Sequence, residues 1–185
     1  MSGEPRMTEE LDFGEFYAAS FRRVVGQVYT MTGNLAEAED AVQEAFARAW
    51  QRWKKVREYN EPESWVRTVA YRISVSAWRK AANRFVAHQR AGGGAGAQPD
   101  LSPDRLALVG ALRQIPAEQR RAIVLYHLVG LSVEEVARET GAPVGTVKTR
   151  LACGRRALAP MVSEFADQPA APGSGNGATT AASGA

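Results

Sequence analysis

The chain has 185 residues, 45% of them hydrophobic and 23% charged, and its formal net charge is +3. This composition is typical of a globular protein with one domain or two small ones. With Cys153 as its one cysteine, the chain forms no internal disulfide, which indicates a reducing compartment. No apolar run approaches the length of a membrane span, and residues 1–16 lack the apolar core of a signal peptide. We therefore expect no membrane insertion and a cytoplasmic location.

The first helical module is predicted at residues 11–88, after a disordered N-terminus at residues 1–10. Apolar residues at helical spacing indicate a helix from residue 11 to 32, which Gly33 ends. Asn34 begins the next helix, with a pattern that continues to Trp53, and a polar loop follows at residues 54–61. The third helix is expected to bury four residues spaced four apart, namely Trp65, Val69, Ile73 and Ala77.

A glycine-rich stretch at residues 89–101 predicts a flexible linker, because ordering a run of glycines costs much conformational entropy. A second module with four helices is predicted at residues 102–165. Residues 166–185 have little charge or apolar bulk, which predicts a disordered tail. No alternating strand pattern of useful length appears. The predicted fold is therefore all-α, with two small helical domains joined by a flexible Gly-rich linker.

The second module contains a helical hairpin at residues 131–158. Ser132 and Glu135 form an S-x-x-E capping box at its start, Gly141 ends its first helix, and Pro143 begins the second. The hairpin is expected to turn an apolar stripe inward, made of Val133, Val136, Ala137 and Thr140 in its first helix and of Val144, Val147, Leu151 and Leu158 in its second. The outer face of the second helix is small or polar with basic flanks, as in a helix that enters a DNA major groove. An ordinary helical hairpin with a solvated basic face would show the same spacing.

The charges of the chain are separated into two basic segments and one acidic segment. Residues 65–90 contain six Lys or Arg and no acidic residue, and residues 145–160 contain four Lys or Arg and no acidic residue. Residues 24–46 contain four acidic residues and no basic one. Basic surfaces suit phosphates, and the acidic one suits a basic protein partner.

Three segments, in this order and separation, resemble the small RNA polymerase sigma factors of the extracytoplasmic-function group. They are AEDAVQEAF at residues 38–46, SWVRTVAYRISVSAWRKAANR at residues 64–84, and IPAEQRRAIVLYHLVGLSVEEVARETGAPVGTVKTRL at residues 115–151. The resemblance implies a promoter-specificity subunit that is not an enzyme and that joins the nucleoid when it is bound to polymerase. It implies core RNA polymerase and promoter DNA as partners and adds an anti-sigma factor as a candidate partner.

In that family the helix AEDAVQEAF docks on a basic coiled coil of the largest polymerase subunit. The resemblance makes Asp40, Gln43 and Glu44 the candidate polymerase contacts. Their spacing places them on one helix face, opposite Val42 and Ala45. The alternative for these residues alone is a solvated acidic face.

By the same resemblance, the helix at residues 65–84 holds the melted non-template strand of the −10 element, which requires cations and surfaces for unstacked bases. Trp53 and Trp65 lie on apolar stripes and are expected in the core. The residue after Y-R-I-x-x is often asparagine in the family and is serine here, which predicts a different −10 preference. The candidate −10-binding residues are Tyr59, Asn60, Arg67, Arg72, Ser76, Trp78, Arg79, Lys80 and Arg84.

The resemblance assigns the hairpin to the duplex −35 element. Lys148 and Thr149 are expected to read bases, and the arginines are expected to hold phosphates. Cys153 stands where an arginine is frequent, which removes one donor for guanine, and we interpret it as a small helix residue rather than a redox switch. The candidate −35-binding residues are Gly145, Thr146, Lys148, Thr149, Arg150, Ala152, Cys153, Arg155 and Arg156.

Two other functions remain open from the residues alone. A helix-turn-helix regulator that acts without core polymerase would have no use for the acidic helix face. A recombinase would need a catalytic Ser or Tyr in a domain larger than the first module. His88 and His127 are not arranged with Cys or carboxylates, and the chain has no phosphate-binding loop motif. We therefore expect no catalytic residue, metal or cofactor. A flexible linker suits modules that must reach two promoter elements and need not touch each other.

Overall fold

The computed structural model describes residues 12–87 and 103–166, and over these residues it is all-α, as predicted. The predicted N-terminus and linker, and the predicted tail beyond residue 166, lie outside the described residues. The helices are α1 (Phe13–Thr32), α2 (Leu35–Gln51), α3 (Trp53–Val56), α4 (Pro62–Ala87), α5 (Pro103–Arg113), α6 (Ala117–Ile123), which continues as a π-helical turn (Val124–Leu128), α7 (Val133–Thr140) and α8 (Val144–Ala166).

Local sequence signals locate the first helix boundaries correctly. Gly33 has a φ of 80°, and its N–H donates to the carbonyl of Tyr29, which ends α1. The Asn34 side chain accepts the N–H of Glu37 at 3.3 Å and caps α2. The end of α2 was predicted two residues too late. Arg52 leaves the helical backbone conformation (φ −123°, ψ 21°), and a short helix replaces the start of the predicted loop.

Helices α1, α2 and α4 pack together into the core of the first module. Trp53 stacks on Phe16 with ring centres 5.1 Å apart, which confirms its place in this core. Of the large side chains, Phe46 and Met31 are among the most deeply buried. The apolar members of the three helices therefore form one continuous cluster.

The predicted buried stripe of α4 is only partly correct. Trp65, Val69 and Ile73 are partly buried and pack against the core, but Ala77 is exposed. The most deeply buried positions follow one or two residues later along the chain, namely Val66, Arg67, Ala70, Tyr71 and Ser74. The physical reason is that α4 packs against α1 and α2 on one side and against α7 on another. Its buried face is consequently wider and differently centred than a simple stripe indicates.

In the second module, the hairpin forms as predicted. Both hydrogen bonds of the capping box between Ser132 and Glu135 are present, and Gly141 ends α7 with a φ of 69°. Val147, Leu151 and Leu158 are buried in α8. Val144 was also predicted on the inner face but is exposed, because the cover of this face begins at Val147.

The two modules pack against each other. Helix α1 contacts α5 and α6, and α4 contacts α7. The Arg105 guanidinium lies against Gly26, and a Cβ at Gly33 would lie 2.5 Å from Cδ of Arg113. A side chain at Gly33 would therefore crowd Arg113 and strain a backbone with a φ of 80°, whereas at Gly26 the flexible end of Arg105 could move aside. The modules therefore touch, a contact that the prediction from sequence did not require.

Candidate functional site

The exposed face of α2 carries the candidate polymerase contacts. Asp40, Gln43 and Glu44 are all exposed, whereas Val42 and Ala45 on the opposite side are buried. Glu44 accepts a hydrogen bond from Nε of Arg48 at 2.8 Å, and both side chains are about half exposed. Such an exposed pair is weak, so a partner can compete for Glu44.

An aromatic groove, which was not predicted from the sequence, continues this acidic face. Trp50 is 62% exposed, and its ring meets the Phe13 ring edge-on at 5.0 Å. Gln43 lies at the border between the groove and the acidic residues. The spacing of seven residues between Gln43 and Trp50, two helical turns, is the signal that could have revealed it. The groove has a volume of about 630 Å³ and is lined by Phe13, Tyr17, Gln43, Phe46, Ala47, Trp50 and Gln51.

The candidate −10 residues divide into three groups. Arg72, Ser76 and Arg79 are exposed on α4. Tyr59 and Asn60 are exposed in the segment before α4 and line a cleft of about 700 Å³ between the modules. The structure places Arg67 out of solvent, on the floor of the same cleft. The side chains of the remaining candidates lie outside the described residues, although the α4 backbone carries them: Trp78, Lys80 and Arg84.

Arg67 is engaged by the second module. Its Nη2 lies 2.6 Å from Oε2 of Glu139 and its Nε lies 2.9 Å from Oε1, a two-pronged ion pair in which both side chains are 3% exposed. The Ser64 hydroxyl donates to Oε2 of the same carboxylate at 2.7 Å. On its other side, Arg67 donates through Nη1 to the Gln27 side-chain oxygen at 3.2 Å. A carboxylate from the hairpin of the second module thus pairs with Arg67, a candidate −10-binding residue of the first module.

A second contact across the modules involves Arg121 and Tyr71. The guanidinium carbon of Arg121 lies 4.2 Å from the Tyr71 ring centre, and Nη2 of Arg121 donates to the backbone carbonyl of Glu139 at 3.2 Å. Burial lowers the pKa of Arg121 and raises the pKa of Tyr71. Neither Arg121 nor Glu139 was a candidate from sequence, since their partners lie far away in the chain and leave no local pattern.

The candidate −35 residues share the outer side of α8. Most of them are exposed, namely Gly145, Thr146, Lys148, Thr149, Ala152, Arg155 and Arg156. Arg150 is partly buried and pairs with Glu118 at 3.2 Å, and Cys153 is partly buried. On the inner side, Gly154 lies close to Ile123, because a Cβ there would be 3.0 Å from Cγ1 of that residue.

Over residues 12–87 and 103–166, none of the helices combines the length and the apolar character that crossing a bilayer requires. In the same ranges, no group of three or more His, Cys, Asp or Glu side chains is arranged to hold a metal ion.

The chain matches two known sequence families and is similar in sequence to known proteins. The sigma-70 region 2 family matches residues 16–84, and the sigma-70 region 4 family matches residues 105–158. The ECF RNA polymerase sigma factor SigL of Mycobacterium tuberculosis is 36% identical over 141 residues, which cover 73% of this chain and 80% of SigL. SigW of Bacillus subtilis, another ECF RNA polymerase sigma factor, is 30% identical over 145 residues, covering 70% of this chain and 78% of SigW.

A solved structure shares the fold. The sigma factor RpoE of Bartonella quintana, in complex with the anti-sigma factor NepR, aligns with a TM-score of 0.68 at 22% identity. The alignment covers 82% of this chain and 97% of RpoE.

Proposed function

The chain belongs to the extracytoplasmic-function sigma factors of RNA polymerase, and from this premise we propose which of its surfaces performs each step. Members of this family bind core RNA polymerase and direct transcription initiation at specific promoters. We propose that this chain acts without enzymatic activity of its own, in the cytoplasm, and at the nucleoid when it is bound to polymerase. We further propose an anti-sigma factor as a regulatory partner, since RpoE was solved with one.

Each of the two modules is proposed to have its own binding function. The module at residues 11–88 binds core polymerase and the −10 element, the linker at residues 89–101 spans the promoter, and the module at residues 102–165 binds the −35 element. The charge separation supports this division, because the acidic helix face and the first basic surface belong to one module and the second basic surface to the other.

Core binding is assigned to the exposed face of α2. Asp40 and Glu44 offer charge to a basic coiled coil, and Gln43 links them to the aromatic groove around Trp50. An exposed tryptophan beside charged residues is typical of the few positions that contribute most of the free energy of binding. The interface is therefore proposed to extend two helical turns beyond the acidic residues.

The −10 strand is assigned to α4 and the segment before it. Arg72 and Arg79 are free in solvent to contact backbone phosphates, and Tyr59 and Asn60 border the cleft that would receive a base. The −35 duplex is assigned to the outer side of α8, where the exposed Lys148 can donate hydrogen bonds to a base. The other residues proposed to bind the −10 element are Arg67, Ser76, Trp78, Lys80 and Arg84. The other residues proposed to bind the −35 element are Gly145, Thr146, Thr149, Arg150, Ala152, Cys153, Arg155 and Arg156.

The observation that carries this proposal is the coexistence of the acidic, partly aromatic face of α2 with two basic surfaces in a chain of this family. Run-off transcription with purified core polymerase on a genomic promoter pool tests it. A chain that neither binds core nor supports initiation would refute the proposal.

Charge reversal separates the sigma factor from a regulator that needs no core. The double change Asp40→Lys and Glu44→Lys should abolish core binding and initiation. Glu15→Lys, a matched reversal of an exposed carboxylate on α1, should leave both intact. Promoter activity that survives the double change would favour the helix-turn-helix regulator.

A further inference from the structure

We propose that Ser64 and Arg67 form a binding seat for a backbone phosphate of the melted −10 strand, and that Glu139 occupies this seat until DNA displaces it. The proposal rests on the proposed function, because it concerns how the −10 surface becomes available. It adds to that function a named phosphate position and an intramolecular competitor for it.

Three donors of the seat converge on one anionic group. Nε and Nη2 of Arg67 point side by side at the two carboxylate oxygens of Glu139, at 2.9 and 2.6 Å. The Ser64 hydroxyl adds a third donor at 2.7 Å. A guanidinium fork binds carboxylates and phosphates in the same two-pronged manner. The Glu139 carboxylate therefore stands where a phosphate would be held.

Arg67 needs an anion at this position. Its side chain is 3% exposed, and a buried cation without a partner is strongly unfavourable. Glu63 also approaches Arg67, at 3.7 Å, but the Glu63 carboxylate accepts both prongs of Arg23. Gln27 offers a neutral oxygen. Glu139 is thus the main counter-charge of the seat in the closed arrangement, and an incoming phosphate is the natural replacement.

The seat lies within the cleft between the two modules, so replacing Glu139 by a phosphate would affect the other residues of that cleft as well. Tyr59, Asn60 and Arg72 line the cleft together with Glu135 and Arg138 of α7. Since α7 belongs to the −35 hairpin, the bond between Glu139 and Arg67 holds that hairpin over the −10 surface. Promoter DNA binds only molecules in which this bond is broken. The apparent association constant is therefore the intrinsic constant of the open form multiplied by the fraction of molecules that are open.

The test compares the full chain with its Glu139→Gln variant. The first readout is energy transfer between dyes on Cys153 and on a cysteine introduced by Lys54→Cys, an exposed position of the first module. The second is binding of unlabelled protein to a fluorescent, random-sequence single strand of about 12 nucleotides. We expect a longer distance between the dyes and binding about tenfold tighter. Glu134→Gln, on the exposed side of the same helix, is the control and should change neither.

The double variant Arg67→Gln with Glu139→Gln identifies the seat itself. It should open like Glu139→Gln but lose the gain in affinity, because the phosphate no longer finds the guanidinium. Within residues 12–87 and 103–166, the hydrogen-bond partners of the Glu139 carboxylate are Ser64 and Arg67, both in the first module. Helix α7 should therefore stay folded in the double variant, which circular dichroism checks.

Two results would overturn the inference. One is an unchanged distance and affinity in Glu139→Gln, and the other is an equal gain in affinity with and without Arg67. Wild-type initiation with core polymerase reports on the sigma function separately. A chain that initiates normally but shows either result keeps its function and loses the phosphate seat.

Discussion

The guanidinium of Arg121 covers the ring of Tyr71 across the interface of the two modules, with 4.2 Å between the guanidinium carbon and the ring centre. Burial removes water from Arg121 and lowers its pKa, and the electron-rich ring face partly replaces that water. The contact lies beside the ion pair of Arg67 and Glu139, since Arg121 also donates to the Glu139 carbonyl. Each module therefore contributes one buried arginine to the interface: Arg121 of the second module contacts Tyr71 of the first, and Arg67 of the first pairs with Glu139 of the second.

Replacing Tyr71 tests the contribution of its ring. Tyr71→Leu retains apolar bulk but removes the ring face, and we expect a loss of about 1–2 kcal/mol in the free energy of unfolding. Tyr71→Phe keeps the ring and should lose clearly less. Urea unfolding followed by circular dichroism measures both changes. Equal losses in the two variants would mean that packing volume, and not the cation–ring contact, determines the effect.

Trp50→Ala should weaken the binding of core polymerase by about 2 kcal/mol, roughly thirtyfold, because exposed tryptophans often dominate interfaces. Stability should change little, since the side chain is 62% exposed. Titration of the labelled protein with core polymerase measures the affinity. Lys55→Ala, an exposed change outside the aromatic groove, is the control and should bind normally. A normal affinity for Trp50→Ala would restrict the interface to the acidic residues.

Local signals predict much of this fold, because helix boundaries depend on a few neighbouring residues. Gly33, Asn34 and the pair of Ser132 and Glu135 act within one turn of chain, and the structure confirms all of them. The inner face of α8 was likewise predicted from spacing, except at Val144.

Features that depend on packing between distant segments could not be predicted in this way. The bond between Arg67 and Glu139 joins residues 72 positions apart, and no local pattern indicates it. The same contact accounts for the burial of Arg67 on α4, since α7 covers part of that helix. The π-helical turn after α6 also gave no signal. Sequence thus indicated which residues carry charge and left open which of them meet.

Lys148→Ala distinguishes base reading from phosphate binding on α8. If Lys148 reads a base, its loss should weaken binding to a −35 duplex by about 1–3 kcal/mol and weaken binding to a scrambled duplex less. Arg156→Ala provides the comparison, since a phosphate contact should be lost equally on both duplexes. Fluorescence anisotropy at several salt concentrations measures both variants. Equal losses for Lys148→Ala on the two duplexes would remove Lys148 from base reading.

The capping box makes the stability of the hairpin depend on pH in a defined direction. The backbone N–H of Ser132 donates to the Glu135 carboxylate at 2.7 Å and lowers its pKa below the ordinary value of 4.5. A carboxyl whose pKa is lower in the folded state stabilises that state above its unfolded pKa, and this contribution is lost as the pH falls through the folded pKa. Glu135→Ala should therefore lower the melting temperature at pH 7, and the difference from wild type should shrink below about pH 4.5.

The control for this effect is Glu134→Ala, which removes a neighbouring carboxylate from the first turn of α7 without breaking the bond to Ser132. Both carboxylates interact favourably with the positive end of the helix dipole. Comparing the two variants therefore removes this shared contribution to stability. The excess loss in Glu135→Ala at pH 7 measures the capping bond. Thermal unfolding between pH 3 and pH 7 provides the comparison, and an excess that stays constant across this range would show that the ionised carboxylate is not its source.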